Sequence, residues 1–218
     1  MTPPTEASVA TPPRWAVVVT EVLAPGYTVA ALVLAAALYA SPGLGGAPYV
    51  VLAVLLCGGL PYLFVHGLAR AKVLESRHVR PRAQRLVVFA GLVVIEVSAI
   101  LVLHLVGSPP LLPRLLAAYL AGIVAIALVT PFVRASVHTA VFSVAAGVST
   151  ALSWWLAAGL LAVAVVVGLS RLAVHDHSRR EVVTGLVLGA LVGAVASVLL
   201  IVTAAGMLSP LAELDNSG

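Results

Sequence analysis

Apolar runs of membrane-crossing length alternate with short polar or Pro/Gly-rich segments along almost the whole chain. A helix needs roughly 20 apolar residues to cross ~30 Å of hydrocarbon. Cut at its breakers, the pattern predicts seven helices, at about 19–40, 48–67, 85–106, 113–133, 137–153, 155–170 and 182–206. "SPGLGGAP" at 41–48 separates the first two, and "GSPPLLP" at 107–113 separates the third from the fourth. At "STALSWW" (149–155) no strong breaker is present, and the division rests on length. One helix from 137 to 170 would be ~50 Å long at 1.5 Å per residue, too long for a single crossing without extreme tilt. The expected fold class is all-α, a polytopic transmembrane helical bundle of six to seven membrane helices within residues 15–207. Residues 1–14 and 208–218, rich in Pro, Ser or Thr and without apolar periodicity, are expected to be disordered tails.

Composition narrows the class. The chain is 61% hydrophobic and 9% charged, with a mean hydropathy of +1.14, which leaves no room for a separate soluble domain. The first apolar run exceeds a signal-peptide core, carries Glu21 and lacks a basic leader beyond Arg14, so no cleavage is expected, although "ALYAS" resembles a cleavage site. Cys57, the only cysteine, lies within an apolar run, which excludes a disulfide inside one chain and a cysteine-based metal site. The net charge of +4 points away from nucleic acid, because basic residues in such a chain flank membrane spans or line polar sites. In the last run, Gly185, Gly189 and Gly193 form a Gly-x-x-x-Gly-x-x-x-Gly ridge, the spacing of close helix packing.

If the helices are seven, the polar segments 68–84, 134–136 and 171–181 all lie on one side. They hold Arg70, Lys72, Arg77, Arg80, Arg82, Arg134, Arg171, Arg179 and Arg180, against Arg114 alone among basic residues on the other side. The tendency of basic loops to stay in the cytoplasm accounts for such a bias, and it places the N-terminus and these segments there. It does not account for His78, His175 and His177 in the same segments, or for His138 two residues past one of them. Guanidinium forks bind phosphate oxygens, and imidazole serves as nucleophile, acid or base near neutral pH. Together at a membrane surface they suggest phosphoryl chemistry on a lipid.

These residues resemble the type 2 phosphatidic acid phosphatase superfamily of membrane lipid phosphatases. Its third motif, S-R-x-x-x-x-x-H-x-x-x-D with a Gly four residues on, is matched by Ser170, Arg171, His177, Glu181 and Gly185, with Glu in place of Asp. Its second motif, P-S-G-H, resembles "ASVH" at 135–138, which keeps Ser136 and His138. Its first, K-x-x-x-x-x-x-R-P, resembles "KVLESRHVRP", where Arg80 and Pro81 match and Lys72 stands one residue too far away.

The resemblance implies a metal-independent, cofactor-free hydrolase acting on a lipid phosphate, polyprenyl-linked or glycerolipid, at the bilayer. His177 would be the nucleophile that forms a phosphohistidine, His138 the acid toward the leaving alkoxide, and Glu181 the group that orients His177. Arg171, Arg80, Ser136, Lys72 and Ser170 would hold phosphate. The Ala- and Val-rich composition suggests a bacterial cytoplasmic (inner) membrane protein, and association with further copies of the chain is allowed. A non-catalytic protein that binds or transports an anionic lipid would need the arginines but not His138, His177 and Glu181 together, and a structural subunit would need none of them. His175 and Asp176 fall off the motif and read as solvated loop residues, and Arg179 and Arg180 as headgroup anchors. Glu21, Glu96 and His104, at or within apolar runs, read as groups that bond a neighbouring helix. Trp154 and Trp155 read as interface anchors.

Overall fold

The structure, a computed structural model, describes residues 11–41, 43, 46–74 and 81–215, with side chains as far as Val202. All regular structure among these residues is helical: α1 (Arg14–Val22), α2 (Pro25–Ala40), α3 (Ala47–Val54), a π-helical turn (Leu55–Gly59), α4 (Leu60–Arg70), α5 (Arg82–Leu105), α6 (Leu111–Val129), α7 (Val137–Ser149), α8 (Trp154–Ala173) and α9 (Arg179–Asp215). Five helical runs are long and apolar enough to cross a membrane: Ala47–Arg70, α5, α6, α8 and Arg179–Val202. The α1–α2 pair, bent by 52°, makes six if counted as one crossing. Leu105, Leu128 and Phe132 are among the many large apolar side chains left exposed on the outside of the bundle, as lipid-facing residues are.

The expected seven spans are not reached, because α7 has only 13 residues. At 1.5 Å per residue it is ~20 Å long, short of the hydrocarbon thickness. Ten of those residues are buried, so α7 is wrapped by its neighbours instead of facing lipid. It lies mainly between α8 and α9. The glycine ridge makes this possible. A Cβ on Gly189 would come within 2.7 Å of the Ser143 Cβ, and one on Gly193 within 2.8 Å of the Gly147 Cα. Side chains there would push the two helices apart. The turn ending α7 is fixed by Ser153, whose Oγ accepts the Leu156 N–H at the start of α8.

Two departures from the expected elements have local causes. The first helix, expected at 19–40, begins at Arg14 and breaks at Leu23 and Ala24. Pro25 disfavours helical backbone at the residue before it, and Ala24 is accordingly extended at φ −63 and ψ 144. In the second run, Pro61 has no N–H for the Cys57 carbonyl one turn back, and the helix widens into the π turn just before it. The last helix runs on to Asp215, through most of the expected tail, where Leu211, Ala212, Glu213 and Leu214 are strong helix formers. At the other end, residues 1–10 of the expected tail lie outside the described residues.

The main apolar core joins α2, α3, α5, α6 and α7 through Val33, Ala53, Leu103, Leu112, Leu116 and Val144. Leu103 near the end of α5 and Leu112 near the start of α6 place it away from Arg82, where the charged end of the bundle begins.

Candidate active site

The charged end is built by backbone and side-chain bonds that tie six helix ends together. Arg82 Nη1 donates to the Pro131 carbonyl at 3.0 Å, and Arg85 Nη2 to the Ala135 carbonyl at 2.7 Å, so the start of α5 holds the strand-like link between α6 and α7. The Ser136 N–H donates to the Glu181 carbonyl at 3.0 Å, and the Thr139 hydroxyl lies 3.4 Å from the Val182 carbonyl, which joins the starts of α7 and α9. Gly185 sits at that junction. A Cβ there would collide with the Ser136 carbonyl and the Thr139 hydroxyl, so the glycine of the third motif is needed for the first and second turns of two helices to touch. On α1, Thr20 Oγ1 lies 3.2 Å from Ser170 Oγ on α8.

Glu181 is the centre of the cluster. The sequence Ser178-Arg179-Arg180-Glu181 is a capping box. The Ser178 N–H donates to Glu181 Oε2 at 2.8 Å, and the Glu181 N–H to Ser178 Oγ at 3.4 Å. The same Oε2 is 3.2 Å from His177 Nδ1, while Oε1 accepts Arg134 Nε at 3.1 Å. Arg134 Nη2 also donates to the Asp176 carbonyl at 2.8 Å, which ties the loop to the cluster. The Glu181 side chain thus curls back over the helix start and meets Arg134, Ser178 and His177 at once.

Above this cluster opens a cavity of about 320 Å³. Arg85, Arg134, His138, Arg171, Asp176 and His177 line its polar side, and Tyr27, Tyr62, Val88, Phe89 and Leu92 its apolar side. Arg171 is 5% exposed and pairs with Asp176 Oδ2 at 2.9 Å, yet its Nε and Nη1 have no hydrogen-bond partner among the described residues. A buried guanidinium with two unused donors costs free energy unless a ligand oxygen meets it. Ser136 Oγ is likewise buried and unpartnered. His177 sits among these charges. Burial pushes its imidazole down to about 4, helped by the Arg171, Arg134 and Arg85 cations and opposed by Glu181. The ring is therefore neutral at pH 7. Its Nδ1 faces Glu181, which leaves Nε2 as the nitrogen open to reaction.

Of the residues expected from sequence, His177, His138, Glu181 and Arg171 come together here, with Ser136 buried at the start of α7. Ser170 is buried too, but it donates to the Val167 carbonyl at 2.7 Å and lies behind the cavity wall. Lys72 is exposed on the turn after α4 and does not line the cavity. Arg80, with His78, lies outside the described residues. Val137, which replaces the motif glycine, is the first residue of α7 and has no positive φ, so glycine is not required there. Asp176 is not a solvated loop residue, since Arg171 holds it at the cavity wall. His175 is exposed, at φ 57, and Arg179 and Arg180 are exposed.

Three functional candidates escaped the sequence reading. Arg85 and Arg134 were visible only as charges at the edges of apolar runs, and Glu21 lines the cavity from α1 although it reads as a helix-bonding group. The capping-box pattern at 178–181 was a second local signal for Glu181, beside its spacing from His177. The chain matches no protein-family model, and no curated protein or solved structure is significantly similar to it.

Proposed function

We propose that this chain is a membrane lipid phosphate phosphatase, working through a phosphohistidine as in the type 2 phosphatidic acid phosphatase superfamily. The observation that carries it is His177 held through Nδ1 by Glu181 at the wall of a cavity that three arginines, Arg85, Arg134 and Arg171, also line. A monoanionic or dianionic phosphate would take the two unused donors of Arg171 and neutralise the cluster. The Nε2 lone pair of neutral His177 would attack phosphorus as the bond to the lipid oxygen breaks. His138 would give its proton to that oxygen. It would then take a proton from water as the water attacks phosphorus, cleaving the P–N bond and releasing phosphate and neutral His177.

Binding alone would not require a carboxylate bonded to the ring nitrogen of an imidazole in the cavity, which is why catalysis is preferred over a lipid carrier. The apolar wall of Val88, Phe89 and Leu92 suits the lipid part of the substrate, polyprenyl or glycerolipid. We place the site in the cytoplasmic leaflet of a bacterial inner membrane, as the charge bias suggests. Phosphate release from a panel of lipid phosphates by the purified chain tests the proposal. Turnover that is lost in His177→Ala supports it, and equal turnover by the two proteins rejects it.

A further inference from the structure

Behind the cavity, deeper in the bundle, lies a smaller chamber of about 90 Å³. The two share Pro25, Gly26, Pro61, Leu92 and Val137 in their walls, so they are neighbours across one layer of side chains. The chamber walls are nearly all apolar. Two exceptions are Glu96 of α5 and Tyr119 of α6, only 4% and 3% exposed. Glu96 Oε2 and the Tyr119 hydroxyl have no hydrogen-bond partner among the described residues. An unpartnered polar atom this deep is costly, so two opening on one chamber point to a ligand that meets both. The chamber also abuts the π turn, which carries Cys57 into its wall.

The ligand is constrained by count. Two or three waters would bond one another, but with only Glu96 and Tyr119 as polar wall groups they would fall short of the about three bonds that buried waters usually make. A single hydroxyl on an apolar body fits better, because it donates to Glu96 Oε2, accepts from Tyr119 and leaves its carbon chain against the apolar wall. We propose that the chamber is a second subsite, which takes a free hydroxyl carried on the lipid part of the substrate. This rests on the phosphatase reading and narrows it to lipid phosphates that bear such a hydroxyl.

Glu96 stands 11 residues, about 16 Å, along α5 from Arg85, so the hydroxyl must be far from the phosphate, and the test uses the purified full chain and two probes, 12-hydroxyoctadecyl phosphate and octadecyl phosphate. Phosphate release is expected to favour the hydroxylated probe by about fivefold to tenfold in kcat/KM, the worth of one net hydrogen bond. Tyr119→Phe, which keeps the ring, and Glu96→Met should each remove the preference by slowing the hydroxylated probe alone. The second readout needs no turnover. Cys57 is the only cysteine and lines the chamber, so its modification by methyl methanethiosulfonate reports occupancy. The hydroxylated probe should protect it more than the deoxy probe in wild type, and equally in Tyr119→Phe. A chain that releases no phosphate but shows differential protection refutes the phosphatase reading and keeps the subsite. Equal protection by the two probes, or a preference that survives both substitutions, overturns the subsite. Protection by neither probe makes the chamber a water site and overturns it as well.

Discussion

Replacing Glu181 by Gln keeps size and helix propensity while removing the charge on which the site turns. In wild type, Oε1 accepts Arg134 Nε and Oε2 accepts the Ser178 N–H beside His177 Nδ1. An amide has one acceptor oxygen and one NH₂. Whichever way it is placed, either Arg134 or the Ser178 and His177 pair then faces a donor. A charge-assisted hydrogen bond is worth about 1.5–3 kcal/mol, and one or two are lost or inverted, so roughly 1.5–6 kcal/mol of the order around His177 is removed. If that energy is needed in the transition state, turnover falls on the order of 10²–10⁴. Glu181→Asp, one methylene shorter, cannot serve the helix cap, the imidazole and Arg134 together, and should keep partial activity. His177→Ala should be at least as damaging as Glu181→Gln, with the double variant little worse, because the two groups act as a unit. Phosphate release in detergent, with ¹⁵N histidine spectra to read the tautomer of His177, is the assay. Full activity in Glu181→Gln, or an unchanged His177 tautomer with lost activity, would refute the orienting role.

Arg134→Gln removes the bonds to Glu181 and to the Asp176 carbonyl at a partly exposed site, and a loss of roughly 10-fold in kcat/KM is expected, measured by the same assay. If, as proposed, the neutral ring of His177 is the nucleophile, kcat/KM should be present above and lost as pH falls through about 4, where an ordinary histidine would titrate near 6.5. Because the folded value is depressed, the unfolded chain takes the proton first, and stability should be full above about 6.5 and decline as pH falls toward 4, as thermal unfolding against pH will show. Gly185→Val forces α7 and α9 apart where they meet, and should cost about 1–3 kcal/mol or more in stability along with activity, whereas Gly159→Ala, with open space around it, should be silent in both. Turnover should survive EDTA and be inhibited by vanadate, since arginines carry the phosphate charge; abolition by EDTA would contradict the phosphohistidine scheme.

The helical class and most of the helix boundaries were legible because membrane-length apolar runs and Pro/Gly breaks are local signals. What failed was depth. Nothing in 137–149 distinguishes a half-length buried helix from a crossing, because wrapping by neighbours, and not hydropathy, decides that. The Ala24–Pro25 break was legible in principle, as a proline inside an apolar run. At the site, the spacing of Ser170, Arg171, His177 and Glu181 could be read directly, since all four flank one loop. Arg134 and Arg85 could not, because their partners, Glu181 and Ala135, are 47 and 50 residues away. Asp176 was misread for the same reason: its spacing to Arg171 is not a motif, and only the loop geometry makes the pair.

The central claim is that His177 forms a covalent bond to phosphorus. Purified chain is mixed with a ³²P-labelled lipid phosphate, quenched with alkali within the first turnovers and digested. The account predicts acid-labile, alkali-stable label on the peptide carrying His177, absent in His177→Ala and longer-lived in His138→Ala, where water is not activated. Phosphate release at the wild-type rate with no label on His177 at any quench time would contradict it.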